Sequence, residues 1–363
     1  MTKKALIVTS DNPYPERGER LVSLVVGGFE KLILDYERCV FDEYDVYVLV
    51  WQEMGKVQLT HYGEPVSPSN LAETLLKERF EFAYFVDPDL NFEDADLILP
   101  ILRSAPCFCF VQYHPNLRIS DAPFKGMVTH FSRSPQNNVL ILGGSYDPRT
   151  FYPRRQKEEY IVCTGRIAPE KNQLELVRGY KERIHSRYGL PLYLVGGCDV
   201  RSARDRHYFD EVSPYIDRDS VHCSADPEQP SALHSWRTSE EIAELCNRSR
   251  MFVIGSPVES FCIALLEAMA CGTTCVVNGK FYGFEVGDLQ PHVFGNITGA
   301  RGTILDVLER ALEQNIRIDA SDWTKKFSLG EIRQKLMPFI RARLDRQNEP
   351  VDFVARRIEG AQV

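Results

Sequence analysis

The first half of the chain alternates short apolar runs with segments in which apolar residues recur at helical spacing. The run KALIVTS at 4–10 ends in turn-forming residues and predicts a buried strand. In residues 27–41 the apolar side chains share one helical face, which predicts a helix. The same criteria predict strands at 44–50, 81–86, 107–113 and 137–142, and a helix at 94–104. This alternation indicates a mostly parallel sheet with helices on both faces.

The pattern lapses at 146–160, where prolines and charged residues accumulate, and then restarts. Thr238, followed three positions later by Glu241, is typical of a capping box that opens a helix. The second half predicts strands at 160–165, 191–197, 251–256 and 273–277, and helices at 172–188, 238–249 and 329–347. We therefore predict two doubly wound, Rossmann-like α/β domains, residues 1–152 and 153–330, facing each other across a cleft. We also predict that residues 331–363 form a helical tail that crosses back to the first domain.

One apolar stretch, SPVESFCIALLEAMACGTTCVV at 256–277, carries two carboxylates that its surroundings do not explain. The segment from Phe261 to Cys271 has no polar face, so the helix it predicts must be buried nearly all round. A buried carboxylate at Glu267 is costly unless it is paired or hydrogen-bonded. One interpretation is an ion pair with a lysine or arginine elsewhere. The other is that Glu267 accepts hydrogen bonds from the hydroxyl groups of a ligand.

Glu259 lies between the predicted strand at 251–256 and this helix. Ligands of doubly wound sheets bind in the loops that follow the strands. Free N–H groups at Phe261, Cys262 and Ile263, at the start of the helix, would attract an anion. A sugar phosphate satisfies both features, because its phosphate suits the N–H groups and its hydroxyls suit the carboxylates.

Composition narrows the function class. The formal net charge of -8 argues against a general nucleic-acid binder, which would carry an excess of basic residues. The N-terminal apolar run is too short for a signal peptide, and no run reaches the length of a membrane span. The ten cysteines form no CxxC pair and sit in apolar runs, which is typical of reduced core residues. We expect a cytoplasmic protein.

The stretch ESFCIALLEAMACGTTCVV resembles the E-x7-E signature of the family-4 retaining glycosyltransferases of GT-B fold, with Glu259 and Glu267 as its carboxylates. Residues 165–180, GRIAPEKNQLELVRGY, are similar to that family's G-R…K segment. LVGG at 194–197 is similar to its L-V-G-x-G turn. Residues 25–50 and 139–153 resemble its N-terminal G-G-x-E helix and its boundary segment. The resemblance spans most of residues 4–300.

The resemblance implies a GT-B architecture and transfer of a sugar from a nucleotide sugar to an acceptor hydroxyl, with retention of configuration. Arg166 and Lys171 would hold the donor diphosphate without a metal ion, as two cations can. Glu267 would accept the ribose hydroxyls, and Glu259 would contact the transferred sugar. The remaining donor contacts would come from Gly27, Gly28, Gly196, Gly197 and the backbone of Phe261, Cys262 and Ile263. No cofactor is expected, and a UDP-sugar is favoured as the donor.

A histidine after a strand of the N-terminal domain often lies near the donor sugar in this family. His114, in FVQYHPN, is the candidate here, and His130 is its rival.

Several positions depart from the family pattern. The usual glycines of E-G-F-G are Ser260 and Cys262 here, and Thr274 replaces the usual proline. Cys262 adds a side chain where the backbone normally meets the sugar, so the identity of the sugar stays open. The segment between Leu117 and Asn137 is short, so the acceptor also stays open: a saccharide, a natural product, a lipid-linked molecule or another hydroxyl compound.

Other functions remain as alternatives. Asp87 and Asp89 follow a predicted strand and could bind a metal ion in a metal-dependent transferase. A non-catalytic nucleotide-sugar-binding protein of the same fold is a second alternative. A GT-B epimerase or phosphorylase is a third, although the sequence offers no pyridoxal-phosphate lysine context.

Overall fold

The computed structural model describes residues 3–9, 33, 35–52, 56–61, 64–66, 78–86, 105–111, 124–129, 139–154, 159–198, 202–225, 237–259, 261–278, 282–283, 289–295 and 302–345. The chain divides into two compact units. The first comprises Met1–Tyr14, Gly28–Gly143 and Leu329–Val363, and the second comprises Pro15–Gly27 and Gly144–Ser328. The predicted domain limits at residues 152 and 330 remain predictions.

The first unit is built on one sheet of eight strands: β1 (Lys4–Thr9), β2 (Asp45–Gln52), β3 (Lys56–His61), β4 (Glu64–Val66), β5 (Phe82–Val86), β6 (Cys107–Val111), β7 (Phe124–Thr129) and β8 (Val139–Ile141). Their order across the sheet is β4-β3-β2-β1-β5-β6-β7-β8. Neighbours are parallel except at one edge, where β3 pairs antiparallel with β2 and β4. The central strands β1 and β5 are buried along almost their whole length, as strands covered on both faces are.

The predicted strands of this unit are present, and three further strands were not predicted. β3 and β4, KVQLTH and EPV, mix polar and apolar residues at the antiparallel edge, so they lack the continuous apolar run of a buried parallel strand. In β7, FKGMVT, the apolar run is interrupted by Lys125 and Gly126, although the strand itself is continuous. Of the helix predicted at 27–41, the described part includes the π-helical turn Tyr36–Val40. The helix predicted at 94–104 lies outside the described residues.

The second unit contains a five-stranded parallel sheet: β9 (Ile161–Thr164), β10 (Leu192–Val195), β11 (Val221–Cys223), β12 (Met251–Ile254) and β14 (Thr274–Val277). A pair of two-residue strands, β13 (Val258–Glu259) and β15 (Tyr282–Gly283), forms a separate parallel ladder. The order in the large sheet is β11-β10-β9-β12-β14. The order therefore reverses direction between β9 and β12. Ligands of doubly wound sheets bind beside the loops that follow the strands at such a reversal.

Helices cover both faces of this sheet: α1 (Gln173–Val177), α2 (Ser186–Tyr188), α3 (Ala203–Val212), α4 (Ser239–Arg248), α5 (Ile263–Ala270), α6 (Ile304–Glu313) and α7 (Ser321–Thr324). One core contains side chains of α1, α3 and α6, and another contains side chains of α4 and α5. The capping box predicted at Thr238 and Glu241 is confirmed at the start of α4. α3, α6 and β11 were not predicted.

The helix predicted at 172–188 is not continuous. α1 ends at Val177, and the chain then passes through extended Arg178 and through Gly179, whose φ is 78°. Helical structure resumes as a π-helical turn, Lys181–His185, that runs into α2. The prediction was wrong because a glycine with positive φ interrupts the helical backbone, although the apolar spacing continues across it.

The last described helix, α8 (Leu329–Leu344), belongs to the first unit. Leu329, Ile332, Leu336 and Ile340 of α8 lie in the same core as Tyr36 and the strands of the eight-stranded sheet. Arg333 also pairs with Asp42, with Nη2 2.6 Å from Oδ1. None of the helices in the described part of the chain is long and apolar enough to cross a membrane.

Candidate donor site in the second unit

The candidate site lies on the two loops that follow β9 and β12, the strands on either side of the order reversal. The loop after β9 carries Arg166 and Lys171. The loop after β12 carries Glu259 and leads into α5. Residues that are almost 90 positions apart in the sequence therefore meet at one edge of the sheet.

Lys171 and Glu259 form an ion pair across these loops. Lys171 Nζ lies 2.7 Å from Glu259 Oε1, and the exposed fractions of the two side chains are 31% and 10%. Burial acts to lower the pKa of Lys171, but the attraction of Glu259 and the other neighbouring groups outweighs it and raises that pKa above its ordinary value. Lys171 is therefore an ammonium ion at neutral pH, available to an anionic ligand.

The backbone of the first loop explains where Lys171 is placed. Ala168 is extended, as residues before proline usually are, and Pro169 opens the 3-10 turn Pro169–Lys171. Asn172 then adopts left-handed φ and ψ values of 54° and 33°, which ends the turn and starts α1. Asparagine accepts this conformation more readily than most residues.

Arg166 has a different electrostatic environment. Its guanidinium pairs with the carboxylates of Asp205 and Glu170. Asp205 is 3% exposed and lies in the first turn of α3, whose cap Ser202 accepts a hydrogen bond from the Asp205 N–H. Glu170 in turn lies 3.4 Å from Arg204. Because Asp205 is fixed in a capped helix, it fixes Arg166 beside the loop.

A polar cluster holds the two loops against each other. The Glu175 carboxylate accepts hydrogen bonds from the side-chain amides of Asn172, at 2.8 Å, and Asn278, at 3.3 Å. Asn278 also donates to the Gly255 carbonyl at 2.7 Å. A Cβ at Gly255 would lie 2.8 Å from the Lys171 carbonyl oxygen, so only glycine allows the loops this close. The cluster sets the distance over which Lys171 and Glu259 pair.

The two predicted glycines at the end of β10 also have a packing role. A Cβ on Gly196 would lie 2.0 Å from the Gly165 carbonyl oxygen, so glycine is needed for β10 to approach the loop after β9. The Gly197 carbonyl accepts a hydrogen bond from the Ile167 N–H at 2.8 Å. Ser224 donates to the Gly196 carbonyl and accepts from its N–H, both at 2.9 Å. These contacts fix the loop on both sides of Arg166.

The segment that enters α5 places three further predicted residues. Phe261 packs against Phe327, with ring centroids 5.4 Å apart, and a Cβ on Gly144 would lie 2.5 Å from its ring. Cys262 is the N-cap residue of α5, and burial raises the pKa of its thiol above the ordinary value. Ile263 begins the helix. The first-turn N–H groups of α5 have no acceptor within the helix and can serve a ligand.

Glu267 occupies the second turn of α5 and is 7% exposed, so the carboxylate is buried, as the sequence predicted. Its helix neighbours Leu266 and Ala268 are buried in the core. The predicted residues Gly27, Gly28 and His114, the rival His130 and the alternative metal ligands Asp87 and Asp89 lie outside the described residues. The structure thus brings Arg166, Lys171, Gly196, Gly197, Glu259, Phe261, Cys262, Ile263 and Glu267 into one unit.

Sequence reasoning missed the residues that support the site. Asp205 lies in α3, a polar helix that the sequence pattern did not predict. Glu175, Asn278 and Gly255 make their contacts only after strands far apart in sequence are assembled. One signal was available: Gly255 and Asn278 directly follow the apolar runs of β12 and β14, and such positions line the ligand side of a doubly wound sheet.

Comparison with known proteins finds a matching family model, a curated relative and similar solved structures. Residues 149–286 match the model of the family described as "Glycosyl transferases group 1". Lipopolysaccharide 1,2-N-acetylglucosaminetransferase of Salmonella typhimurium (strain LT2) is 23% identical over 263 residues. That match covers 69% of this chain and 62% of the relative, so the chain spans less than two thirds of the curated relative's length.

Two solved structures are similar over almost the entire chain. Sucrose-phosphate synthase from Thermosynechococcus elongatus has a TM-score of 0.60 at 14% identity, covering 94% of this chain and 99% of the other. A glycosyltransferase from Rickettsia africae has a TM-score of 0.63 at 11% identity, covering 95% and 100%. The predicted fold class is confirmed: the protein has a GT-B type α/β fold with two Rossmann-like units.

Proposed function

We propose that the protein is a retaining glycosyltransferase that moves a sugar from a nucleoside diphosphate sugar to an acceptor hydroxyl, without a metal ion. The observation that carries this proposal is the meeting of Lys171 and Glu259, 2.7 Å apart, on the loops that flank the strand-order reversal. A cation for phosphate and a carboxylate for hydroxyls are thus adjacent at the edge of the sheet where ligands of this fold bind. The E-x7-E pattern at Glu259 and Glu267 and the matched family model support the same conclusion.

The proposed chemistry is electrostatic. As the bond between sugar and leaving phosphate breaks, positive charge grows on the sugar and negative charge on the diphosphate. Lys171, Arg166 and the first-turn N–H groups of α5 would stabilise that negative charge, the largest contribution expected from such a site. Glu259 and Glu267 would bind hydroxyls of the sugar and the ribose. The leaving phosphate itself would accept the proton of the acceptor hydroxyl, so no carboxylate nucleophile is required.

A thermal-shift screen tests the binding part of the proposal. The panel is UDP, GDP, ADP and their sugar conjugates, and it includes UDP-N-acetylglucosamine because the Salmonella relative is named for transfer of N-acetylglucosamine. A ligand at about 100 times its Kd stabilises the folded state by about 2.7 kcal/mol, which gives a measurable rise in Tm. We expect a shift for one base, with UDP favoured.

Two variants locate the binding site. Lys171→Ala and Glu267→Ala should each lose the ligand-induced shift. The matched controls are Lys181→Ala, which removes a surface lysine paired with Asp217, and Glu313→Ala, which removes a surface carboxylate paired with Arg187. Both controls should keep the shift. If Lys171→Ala and Glu267→Ala respond like the wild type, the site has been misplaced.

Turnover distinguishes the transferase from its alternatives. The enzyme should release nucleoside diphosphate from the bound sugar nucleotide, slowly with water and faster with an acceptor, and the product should keep the anomeric configuration in proton NMR. Binding with neither transfer nor hydrolysis would favour the non-catalytic alternative. The metal-dependent alternative predicts three results: a chelator abolishes turnover, Mn²⁺ restores it, and the Asp87→Asn variant shows no turnover.

A further inference from the structure

We propose that the Lys171–Glu259 ion pair couples recognition of the diphosphate to recognition of the sugar, and so makes the site prefer a complete sugar nucleotide over a free nucleoside diphosphate. The inference rests on the proposed function and concerns the same site. In this structure Glu259 is paired with Lys171. A diphosphate that takes Lys171 releases Glu259, which then accepts hydrogen bonds from sugar hydroxyls.

The exposure of the two side chains determines which of them an incoming diphosphate reaches first. Lys171 is 31% exposed and Glu259 is 10% exposed, so an anion arriving from solvent reaches the ammonium before the carboxylate. Among the described residues Lys171 makes one ion pair, whereas Arg166 is held by both Asp205 and Glu170. Lys171 is thus the cation whose partner can be exchanged, and Arg166 stays fixed by the buried Asp205.

The exchange requires movement of side chains alone. The backbone at Lys171 is fixed by close contact with Gly255 and by the Asn172 amide on Glu175. The backbone at Glu259 is fixed by its ladder pairing with Gly283. Lysine has a flexible four-carbon stem, so its ammonium can swing toward a phosphate while both loops keep their positions.

The cost of the exchange depends on what replaces Lys171. With a sugar nucleotide, hydroxyl donors take the place of the ammonium on Glu259. With a nucleoside diphosphate alone, Glu259 is left as a nearly buried carboxylate without its cation and close to a second negative group, which is unfavourable. After sugar transfer the product is in that second state. Return of Lys171 to Glu259 therefore favours release of the nucleoside diphosphate.

The test compares two affinities in two proteins by isothermal titration calorimetry. The ligands are the nucleoside diphosphate and the sugar nucleotide that share the base the wild type binds best, chosen from UDP, GDP and ADP. Glu259→Gln keeps the shape of the side chain but removes the charge that competes for Lys171. We expect it to bind the nucleoside diphosphate about tenfold more tightly than the wild type does, as expected when about 1.4 kcal/mol of repulsion is removed. Its affinity for the sugar nucleotide should not rise.

Two further variants test whether a change in affinity comes from the Lys171–Glu259 pair or from a change in the net charge of the protein. Glu313→Gln removes a surface carboxylate of α6 and should change neither affinity. Glu259→Asp keeps the charge on a shorter side chain and should retain the weak binding of nucleoside diphosphate. Circular dichroism melting confirms that each variant is folded before titration.

The outcomes are distinct. If the wild type binds no nucleotide and no sugar nucleotide, the proposed function fails and this inference fails with it. If the wild type binds but Glu259→Gln gains no affinity for the nucleoside diphosphate, or gains equally for both ligands, the coupling is overturned while the proposed function stands. A gain confined to the nucleoside diphosphate supports the coupling.

Discussion

Helices α5 and α6 pack in the same unit but are specified in opposite ways. α6 begins with a capping box between Thr303 and Asp306. The carboxylates on its outer face pair with Arg183 and Arg187, which lie in the helical segment that follows α1. α5 has a cysteine as N-cap and no acidic residue in its first turn or basic residue in its last. Leu265–Ala270 of α5, Glu267 included, are all buried.

The difference at the helix starts indicates that α6 has a structural role, whereas α5 also has the role in binding that we propose. α6 carries its own N-terminal cap, and arginines of another segment pair with its charged face, so its start and its outer face are both satisfied within the protein. α5 depends on its packing and leaves its first turn without an oxygen cap. A helix that serves only the fold would gain by having such a cap. Within the described residues, the N-cap of α5 offers no side-chain oxygen to the first turn, which is consistent with N–H groups kept for a ligand beside Glu259.

Both helices pack into a hydrophobic core, and loss of this packing should reduce the free energy of unfolding more than any other change considered. Leu266 in α5 and Leu308 in α6 are both buried. Truncation of either to alanine should cost about 2–5 kcal/mol of stability, the usual range for a core leucine. Urea unfolding of the two variants measures this. A cost for Leu266→Ala far below that for Leu308→Ala would show that packing does not hold α5.

The second-largest loss of stability is expected from a substitution in the loop between β12 and α5. Gly255→Ala places a Cβ 2.8 Å from the Lys171 carbonyl oxygen and should cost about 1–3 kcal/mol, typical of overpacking. Because the loops would be pushed apart, it should also weaken nucleotide binding. Gly330→Ala is the matched control. Its Cβ would meet no atom within 4 Å, and it lies in α8, so alanine there should be neutral or stabilising. Equal effects of the two substitutions on nucleotide binding would contradict this account.

The same contrast explains which features could be predicted from the sequence. The buried parallel strands β1, β5, β9 and β12 are continuous apolar runs, so their positions followed from hydrophobicity alone. α5 was recognised as buried for the same reason. The prediction omits α6, although its apolar residues at 304, 307, 308 and 311 and the spacing of Thr303 and Asp306 indicate a capped amphipathic helix.

Other features depended on tertiary contacts and could not be predicted. α3 contains mostly polar residues, and it is stable because Tyr208, Phe209 and Val212 reach the core while Ser202 caps it. The pairing of Lys171 with Glu259 depends on two loops held together by Glu175 and Asn278, whose positions in sequence give no indication that they meet. The types of residue in the site were visible in the sequence, but their partners were not.

The helix caps offer a third, smaller test of the comparison. Thr303→Ala should destabilise the protein by about 1 kcal/mol, because it leaves the Asp306 N–H in the first turn of α6 without its acceptor. Cys262→Ala should cost less than half as much, since no oxygen cap is lost at α5. Thermal melts of both variants give the comparison. If Cys262→Ala is as costly as Thr303→Ala, the start of α5 is stabilised by its cysteine, and its N–H groups are less available to a ligand than we infer.

The smallest expected effect concerns the charges on the outer face of α6. Arg183 pairs with Asp306 at 2.7 Å and with Glu309 at 2.5 Å. The Arg183 hydrogen bond lowers the pKa of Glu309, and for Asp306 the same bond helps to outweigh the opposing effect of burial, so that its pKa is also lowered. Carboxylates with a lowered pKa in the folded state stabilise it above their unfolded pKa values, near 4, and this stabilisation is lost as the pH falls through the folded values.

Arg183→Ala should therefore lower the Tm slightly at neutral pH and low salt. Arg183 is more than a third exposed, so solvent screening limits the loss to about 1 kcal/mol or less. The difference from the wild type should shrink in 1 M salt, where charges are screened over about 3 Å, and again as the pH falls below the unfolded pKa values of about 4 and through the lowered folded values. Arg206→Ala, at an exposed arginine outside this network, should show no such dependence. A deficit for Arg183→Ala that is unchanged by salt and by pH would mean that the arginine stabilises α6 through the packing of its stem, and that the charged face of α6 does not distinguish it from α5.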